Sequence, residues 1–468
     1  MADQYPLRQE SSTLSSDGKS WLRVLVWLPD PVYSRRGAVQ LVHGMAEHIE
    51  RYDSFARFLA GLGYVVFGHD HIGHGKSVSD ADELGHMPLR GGKEILLDDM
   101  LRARKTALEL AREKDGLPLF LFGHSMGSFV ARASIARNPE GLAGAVLSGT
   151  GNQPRALSLA GRTMAHILGM LRGAEYRSKM LDSMAIGAYS KAIKDARTEN
   201  DWISTDPAVV DAYNADPLSG QMFSVGGYAT LTDLTQEVVT KKSAAAVPGS
   251  LPLLFIAGEE DPVGSCGKDV EVAAELYRSQ GVEDVRVVIY PHMRHEVLNE
   301  PNRSQVYSDV EQWFTECMVL REVAKTKAQV EELYGVDSAV ANEVSAEGEG
   351  EAQPSETAFV TAAQTQAQGE EPSAQPASVA AAETQAMPVV KPECKDEPQS
   401  SASASAAETQ VMPAVEPEAK GEPQPSGSSV AADAETQVLP AVEAGQSAVA
   451  GSGAADTATT QPIKVEKE

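Results

Sequence analysis

The sequence predicts an α/β chain: a doubly wound, mostly parallel sheet that carries a helical cap insertion. Three observations lead there. Short apolar runs bounded by turn residues alternate with longer amphipathic stretches, which is the pattern of strands joined by crossover helices. One run passes straight into a helix through Gly123-His124-Ser125-Met126-Gly127. Residues 151–245 have helical periodicity and no strand alternation, so they form an insertion rather than more sheet.

Each element has a local reason. Strands are expected at 21–28, 37–43, 64–70, 117–123, 142–148, 252–257 and 285–290, where short apolar runs end in turn residues. Helices are expected near 50–62, 91–114, 125–138, 269–280 and 303–333, where apolar residues recur at helical spacing. Residues 1–150 and 246–334 then make the core and 151–245 the cap, which in such a fold lies above the central serine. From 335 to 468 the composition changes: Phe359 is the only aromatic residue, and 22 acidic residues face 5 basic ones. This stretch holds most of the net charge of −26 and too little apolar surface to offset its ordering entropy, so a disordered acidic tail is expected.

The strand-to-helix turn carries the chemistry. A strand that reverses sharply into a helix crowds the positions two residues either side of its apex, which explains glycine at 123 and 127. Ser125 is left exposed at the apex, and the following helix aims its positive end at the place where negative charge would collect. A serine hydroxyl needs a histidine to take its proton and a carboxylate to orient that histidine. Residues 251–262, LPLLFIAGEEDP, supply a strand, a turn and Asp261; residues 285–295, VRVVIYPHMRH, supply a strand and His295. Glu259 and Glu260 rival Asp261 for the orienting carboxylate, and His292 rivals His295; Asp261 lies best on the loop beyond the turn, and His292 reads as a surface residue. Two backbone N–H groups should hold the oxyanion: that of Met126, after the serine, and that of Met45, where the strand AVQLVHGM ends.

These residues carry a family likeness. The runs HGMAEHIERY (43–52), DHIGHGKS (70–77) and GHSMG (123–127), with Arg294-His295-Glu296, together resemble the monoacylglycerol lipase and lysophospholipase group of α/β-hydrolases. The resemblance spans about residues 15 to 320. It implies the α/β-hydrolase fold and cleavage of carboxylic esters bearing one long acyl chain, with Ser125, Asp261 and His295 as triad and Met45 and Met126 as oxyanion donors. Two other functions stay open. A serine aminopeptidase of the same fold would need cap acids such as Glu175, Asp182 or Asp195 to hold an amine; a non-catalytic scaffold would use the tail to recruit partners.

The remaining features narrow the surroundings. The glycines of the 70–77 run suit a turn after a strand, and His69, His71 and His74 lack the carboxylate or cysteine set of a metal site. No Gly-rich phosphate loop stands out, and acyl transfer to serine needs no cofactor. Net negative charge disfavours nucleic acid as a partner, and the small lipid ester substrate is what the resemblance implies. The first residues, MADQYPLRQESS, lack a basic segment followed by an apolar run, and Cys266, Cys317 and Cys394 are widely spaced; both suggest the cytoplasm. The segment Ala156 to Leu171 reads as a helix packed over the core, or as a lip that receives an acyl chain or touches a lipid surface. In the tail, ETQAMP, ETQVMP and ETQVLP repeat; duplication explains them, and phosphorylation of Thr384, Thr409 and Thr436 for a phosphothreonine-reading partner is the sharper alternative.

Overall fold

The computed structural model describes residues 6–113 and 116–334; the tail with its three repeats lies outside the described residues. Strands β1 (Leu7–Leu14), β2 (Trp21–Leu28), β3 (Gly37–Val42), β4 (Tyr64–His69), β5 (Leu119–His124), β6 (Leu142–Ser148), β7 (Leu253–Gly258) and β8 (Val285–Tyr290) form one sheet. Their order is β1-β2-β4-β3-β5-β6-β7-β8. Pairing is parallel from β4 to β8, whereas β2 runs antiparallel to both β1 and β4.

Strands β3 to β7 are buried along their whole length because helices cover both faces. Helices α1 (Asp53–Gly61) and α11 (Arg303–Tyr334) pack on one face through Phe55, Leu59, Val306, Val310 and Phe314. Helices α2 (Gly92–Leu110), α3 (Met126–Arg137) and α10 (Lys268–Arg278) pack on the other through Leu96, Met100, Val130, Ala273 and Tyr277. After β3 the chain crosses to β4 on one side; after β5 it crosses to β6 on the other. The carboxyl ends of β3 and β5, paired as far as Val42 and Gly123, therefore flank the point where the winding reverses, the usual place for a ligand crevice in such sheets.

All seven expected strands are present, and β1 is an addition. Its sequence, LRQESSTL, shows no apolar alternation because an edge strand needs none: it offers one side to β2, and its residues alternate between half-buried and exposed.

Residues 151–245 hold helices α4 (Arg155–Arg172), α5 (Lys179–Ala185), α6 (Gly187–Ala192), α7 (Pro207–Ala215), α8 (Val225–Val238) and α9 (Lys241–Ala244), and no strand among the described residues. Ser178, Asp206, Ser224 and Thr240 start four of them by accepting a backbone N–H from the first turn. Helix α8 packs on α2, α3 and α4. Helix α4 buries Ser158, Ala165 and Gly169 while Leu157, Leu159, Ile167, Met170 and Leu171 stay exposed. A helix that hides small residues and presents large apolar ones reverses the usual preference of a water-facing surface.

Candidate active site

The turn between β5 and α3 is fixed by close packing. Ser125 has φ 54 and ψ −121, a conformation that costs about 1–3 kcal/mol for a residue with a Cβ and that the surroundings must enforce. A Cβ on Gly123 would stand 2.4 Å from the Gly127 carbonyl oxygen, and one on Gly127 would stand 2.1 Å from that of Val42. Ser125 N–H donates to Ser148 O at 2.9 Å, and the Ser128 hydroxyl donates to Ser125 O at 2.6 Å, so both peptide planes of the apex are held. Met126 opens α3, where backbone N–H groups have no partner within the helix.

The loop after β3 approaches this apex. A Cβ on Gly44 would lie 3.0 Å from Ser125 Cβ, so the backbone leading into Met45 runs against the serine. Buried polar groups hold that loop. Gly44 N–H donates to Glu47 Oε1 at 2.5 Å, as does the Tyr52 hydroxyl at 2.8 Å. His71 N–H donates to His43 Nε2 at 2.9 Å, which leaves the ring proton on Nδ1 to bond Gly44 O, also at 2.9 Å. His43, His69, His71 and His74 lie together and buried, with the His43 ring 4.2 Å from His71 and 5.2 Å from His74. Burial pushes all four below the ordinary imidazole range, His69 and His74 to about 4. Among the described residues no cluster of His, Cys, Asp or Glu is arranged to hold a metal ion. Asp70 instead closes the turn by accepting the N–H groups of Ile49 and Lys76.

Asp261 and His295 meet beyond β7 and β8. His295 Nδ1 is 2.9 Å from Asp261 Oδ2, with both side chains buried. Asp261 Oδ1 accepts Val263 N–H at 2.9 Å, so the carboxylate is oriented from both oxygens. Burial lowers the tendency of His295 to ionise, but Asp261, followed by Glu296 and Glu47, outweighs it and raises the imidazole above 6.5. His295 Nε2 has no hydrogen-bond partner and makes no bond to Ser125 in this state. The ring nevertheless stands beside the turn: it lies 4.6 Å from the ring of His124, the residue before the serine, and a Cβ on Gly149 would touch both.

The rivals lie elsewhere. The His292 side chain is 88% exposed, Glu260 is 3.9 Å from it, and Glu259 accepts the His292 N–H. Of the cap acids, Glu175 and Asp195 are exposed, and Asp182 accepts the Tyr228 hydroxyl at 2.5 Å.

The model of the family described as "Serine aminopeptidase, S33" matches residues 33–302. The chain belongs to this family of α/β-hydrolases. A monoacylglycerol lipase of Mycolicibacterium smegmatis is 32% identical over 297 residues, which is 62% of this chain and 90% of that protein. A monoglyceride lipase of Homo sapiens is 27% identical over 314 residues, covering 66% and 92%. Among solved structures, a thermostable carboxyl esterase from Bacillus coagulans in complex with glycerol is 30% identical with a TM-score of 0.61, covering 66% of this chain and 98% of that one. The hydrolase is thus of the ester-hydrolase and lipase kind.

Two further groups surround His295. The cap segment 201–205 runs along the loop that carries it: Glu296 N–H donates to Ile203 O at 2.8 Å, and Arg294 Nη1 donates to Asp201 O at 2.7 Å. Glu300 clamps the two by accepting the N–H groups of Arg294 and Thr205. The Trp202 ring packs at a tilt against the imidazole, and Tyr189 packs against Trp202 behind it. On the other side Arg51 sits between Glu47 and Glu296. Glu47, Arg51 and Glu296 stand inside the motifs that carry the resemblance, with no local signal of their mutual contact; Trp202 and Tyr189 lie in the insertion, where no motif marks them.

Proposed function

We propose that this hydrolase cleaves carboxylic esters of long acyl chains, monoacylglycerol or lysophospholipid, through an acyl-enzyme on Ser125. The observation that carries the reading is the buried His295–Asp261 pair, whose Nε2 is unpartnered beside a serine held in a strained apex. His295 takes the Ser125 proton as the hydroxyl oxygen attacks the ester carbonyl. The N–H groups of Met45 and Met126 hold the resulting oxyanion, and the imidazolium returns its proton to the departing alcohol. Water then repeats the sequence on the acyl-enzyme and releases the fatty acid. Asp261 accepts from Nδ1 and keeps the Nδ1–H tautomer in place.

Esters rather than aminoacyl substrates fit the surroundings, since two of the three cap acids considered for an amine site are exposed and the third is engaged by Tyr228. The named lipase relatives support the same choice. Fluorophosphonate labelling lost on Ser125→Ala, followed by turnover of monoacylglycerol, lysophospholipid and an aminoacyl arylamide side by side, tests it. A wild-type chain that does not label would be a scaffold, and preferred turnover of the arylamide would replace the lipase reading with the peptidase one.

The cap is proposed to rest on lipid surfaces through Leu157, Leu159, Ile167, Met170 and Leu171 of α4, joined by Met180 and Met184 of α5. Among the described residues no helix is long and apolar enough to cross a membrane. Anionic and zwitterionic vesicles that neither bind the enzyme nor raise its turnover would refute surface contact. Cytoplasmic residence remains part of the proposal.

A further inference from the structure

A buried bridge of three charged residues joins the two loops on which the proposed chemistry depends. Arg51 donates to Glu47 Oε2 at 2.8 Å and, from both terminal nitrogens, to the two oxygens of Glu296. Glu47 in turn holds the Gly44 N–H ahead of Met45. Glu296 follows His295 directly, and its second oxygen also accepts from Asn299 at 2.9 Å. All three side chains are nearly inaccessible, at 5%, 12% and 7% exposure for Glu47, Arg51 and Glu296. The cap closes the bridge: Tyr213 lies 4.8 Å from the Arg51 guanidinium and donates to Ala46 O at 3.1 Å.

Two carboxylates share one guanidinium, and burial outweighs Arg51 so that, with Glu296 adding to it, the Glu47 carboxyl is held above its ordinary value. Burying such an arrangement is costly, and a hydrophobic replacement would often be neutral for stability alone. Glu296 adjoins His295 in the chain and is among the groups that raise the imidazole, which must become an imidazolium during acyl transfer. Other charged or titratable groups around these loops include Asp261 on His295 Nδ1, His124 on the imidazole face, Tyr52 on Glu47, Tyr213 on Arg51, His43 on Gly44 O, the His48–Asp216 pair, and Arg294 and Glu300 on the His295 loop.

We propose that Glu296 is a positioning residue for the hydrolysis: through Arg51 and Glu47 it locks the loop bearing His295 to the loop bearing the Met45 donor. The inference rests on the serine-hydrolase reading of the site. Without Glu296 the imidazole loses one of the groups that favour its charged form, and the loop leading to Met45 loses its tie to the His295 loop.

The pH profile of kcat/KM on a p-nitrophenyl ester separates the two contributions. Glu296→Gln should move the acid limb down by roughly half to one pH unit and reduce plateau kcat roughly tenfold, with KM changed less. Glu296→Asp keeps the charge while shortening the reach, so it should leave the limb in place and still lose plateau kcat. An unmoved limb together with a plateau within twofold of wild type in Glu296→Gln would overturn the proposal. If that variant fails to fold, Glu47→Gln tests it from the other end, where the same downward shift is expected and an unmoved limb overturns it. Labelling of Ser125 in the wild type keeps the outcomes distinct, because failure to label removes the hydrolase reading itself.

Discussion

The indole of Trp202 lies 5.0 Å from the imidazole of His295, with the two planes 46° apart. The contact joins the cap to the general base proposed for the reaction, and Tyr189 backs it at 5.2 Å from Trp202. An imidazole held only by Asp261 could rotate about its Cβ bond; a ring packed on one face restricts that motion. Trp202→Ala is expected to lower kcat roughly tenfold through lost orientation of the base, and Trp202→Phe to restore most of it. Steady-state kinetics on both variants, with thermal melts to exclude global loss of structure, checks this.

The acid limb of activity should lie above the pH at which a free imidazole titrates. Burial opposes ionisation of His295, but Asp261 and the neighbouring glutamates raise its pKa above 6.5. The base must be neutral to accept the serine proton, so turnover is lost as pH falls through this raised value. Replacing Asp261 with Asn removes the largest raising influence and should shift any residual limb downward. A profile of kcat/KM from pH 5 to 9 measures both.

The histidines under the loop after β3 should make folding sensitive to acid. Their folded pKa values lie below the unfolded value near 6.5, at about 4 for His69 and His74. The unfolded chain therefore binds protons that the folded chain refuses as pH drops from about 6.5 toward 4, and stability falls across that window. For His69 and His74 together the loss between pH 7 and pH 5 is on the order of 3 kcal/mol. Urea midpoints should fall accordingly, and His69→Phe should flatten the dependence.

Adding a methyl group at the turn should be more damaging than its size suggests. Gly127→Ala would drive a Cβ to 2.1 Å from the Val42 carbonyl oxygen, and backbone on both sides must shift to relieve it. The expected cost is about 1–3 kcal/mol, with near-complete loss of activity because the same shift moves the β3 loop toward Met45 away from Ser125. Denaturant unfolding and fluorophosphonate labelling of the variant report the two effects separately.

What the sequence by itself determined follows from short-range chemistry. The apolar runs of β3 to β7 sit between helices on both faces, so their composition alone marks them as strands. The glycines at 123 and 127 answer a steric demand within five residues of chain. Ser125, Asp261 and His295 could be proposed as a triad because each follows a strand at a turn. Edge strand β1 left no trace, since its pairing with β2 uses backbone groups that any residue supplies.

Tertiary structure decided everything that depends on distant segments sharing one space. Trp202, Tyr189 and Glu300 acquire meaning only when the cap segment 201–205 is laid along the His295 loop by backbone hydrogen bonds. The Arg51–Glu296 contact spans 245 residues of chain, so no local pattern announces it. Local propensity and turn chemistry act over a few residues and are written in the sequence. Burial and electrostatics act through space, and only the fold states which groups share them.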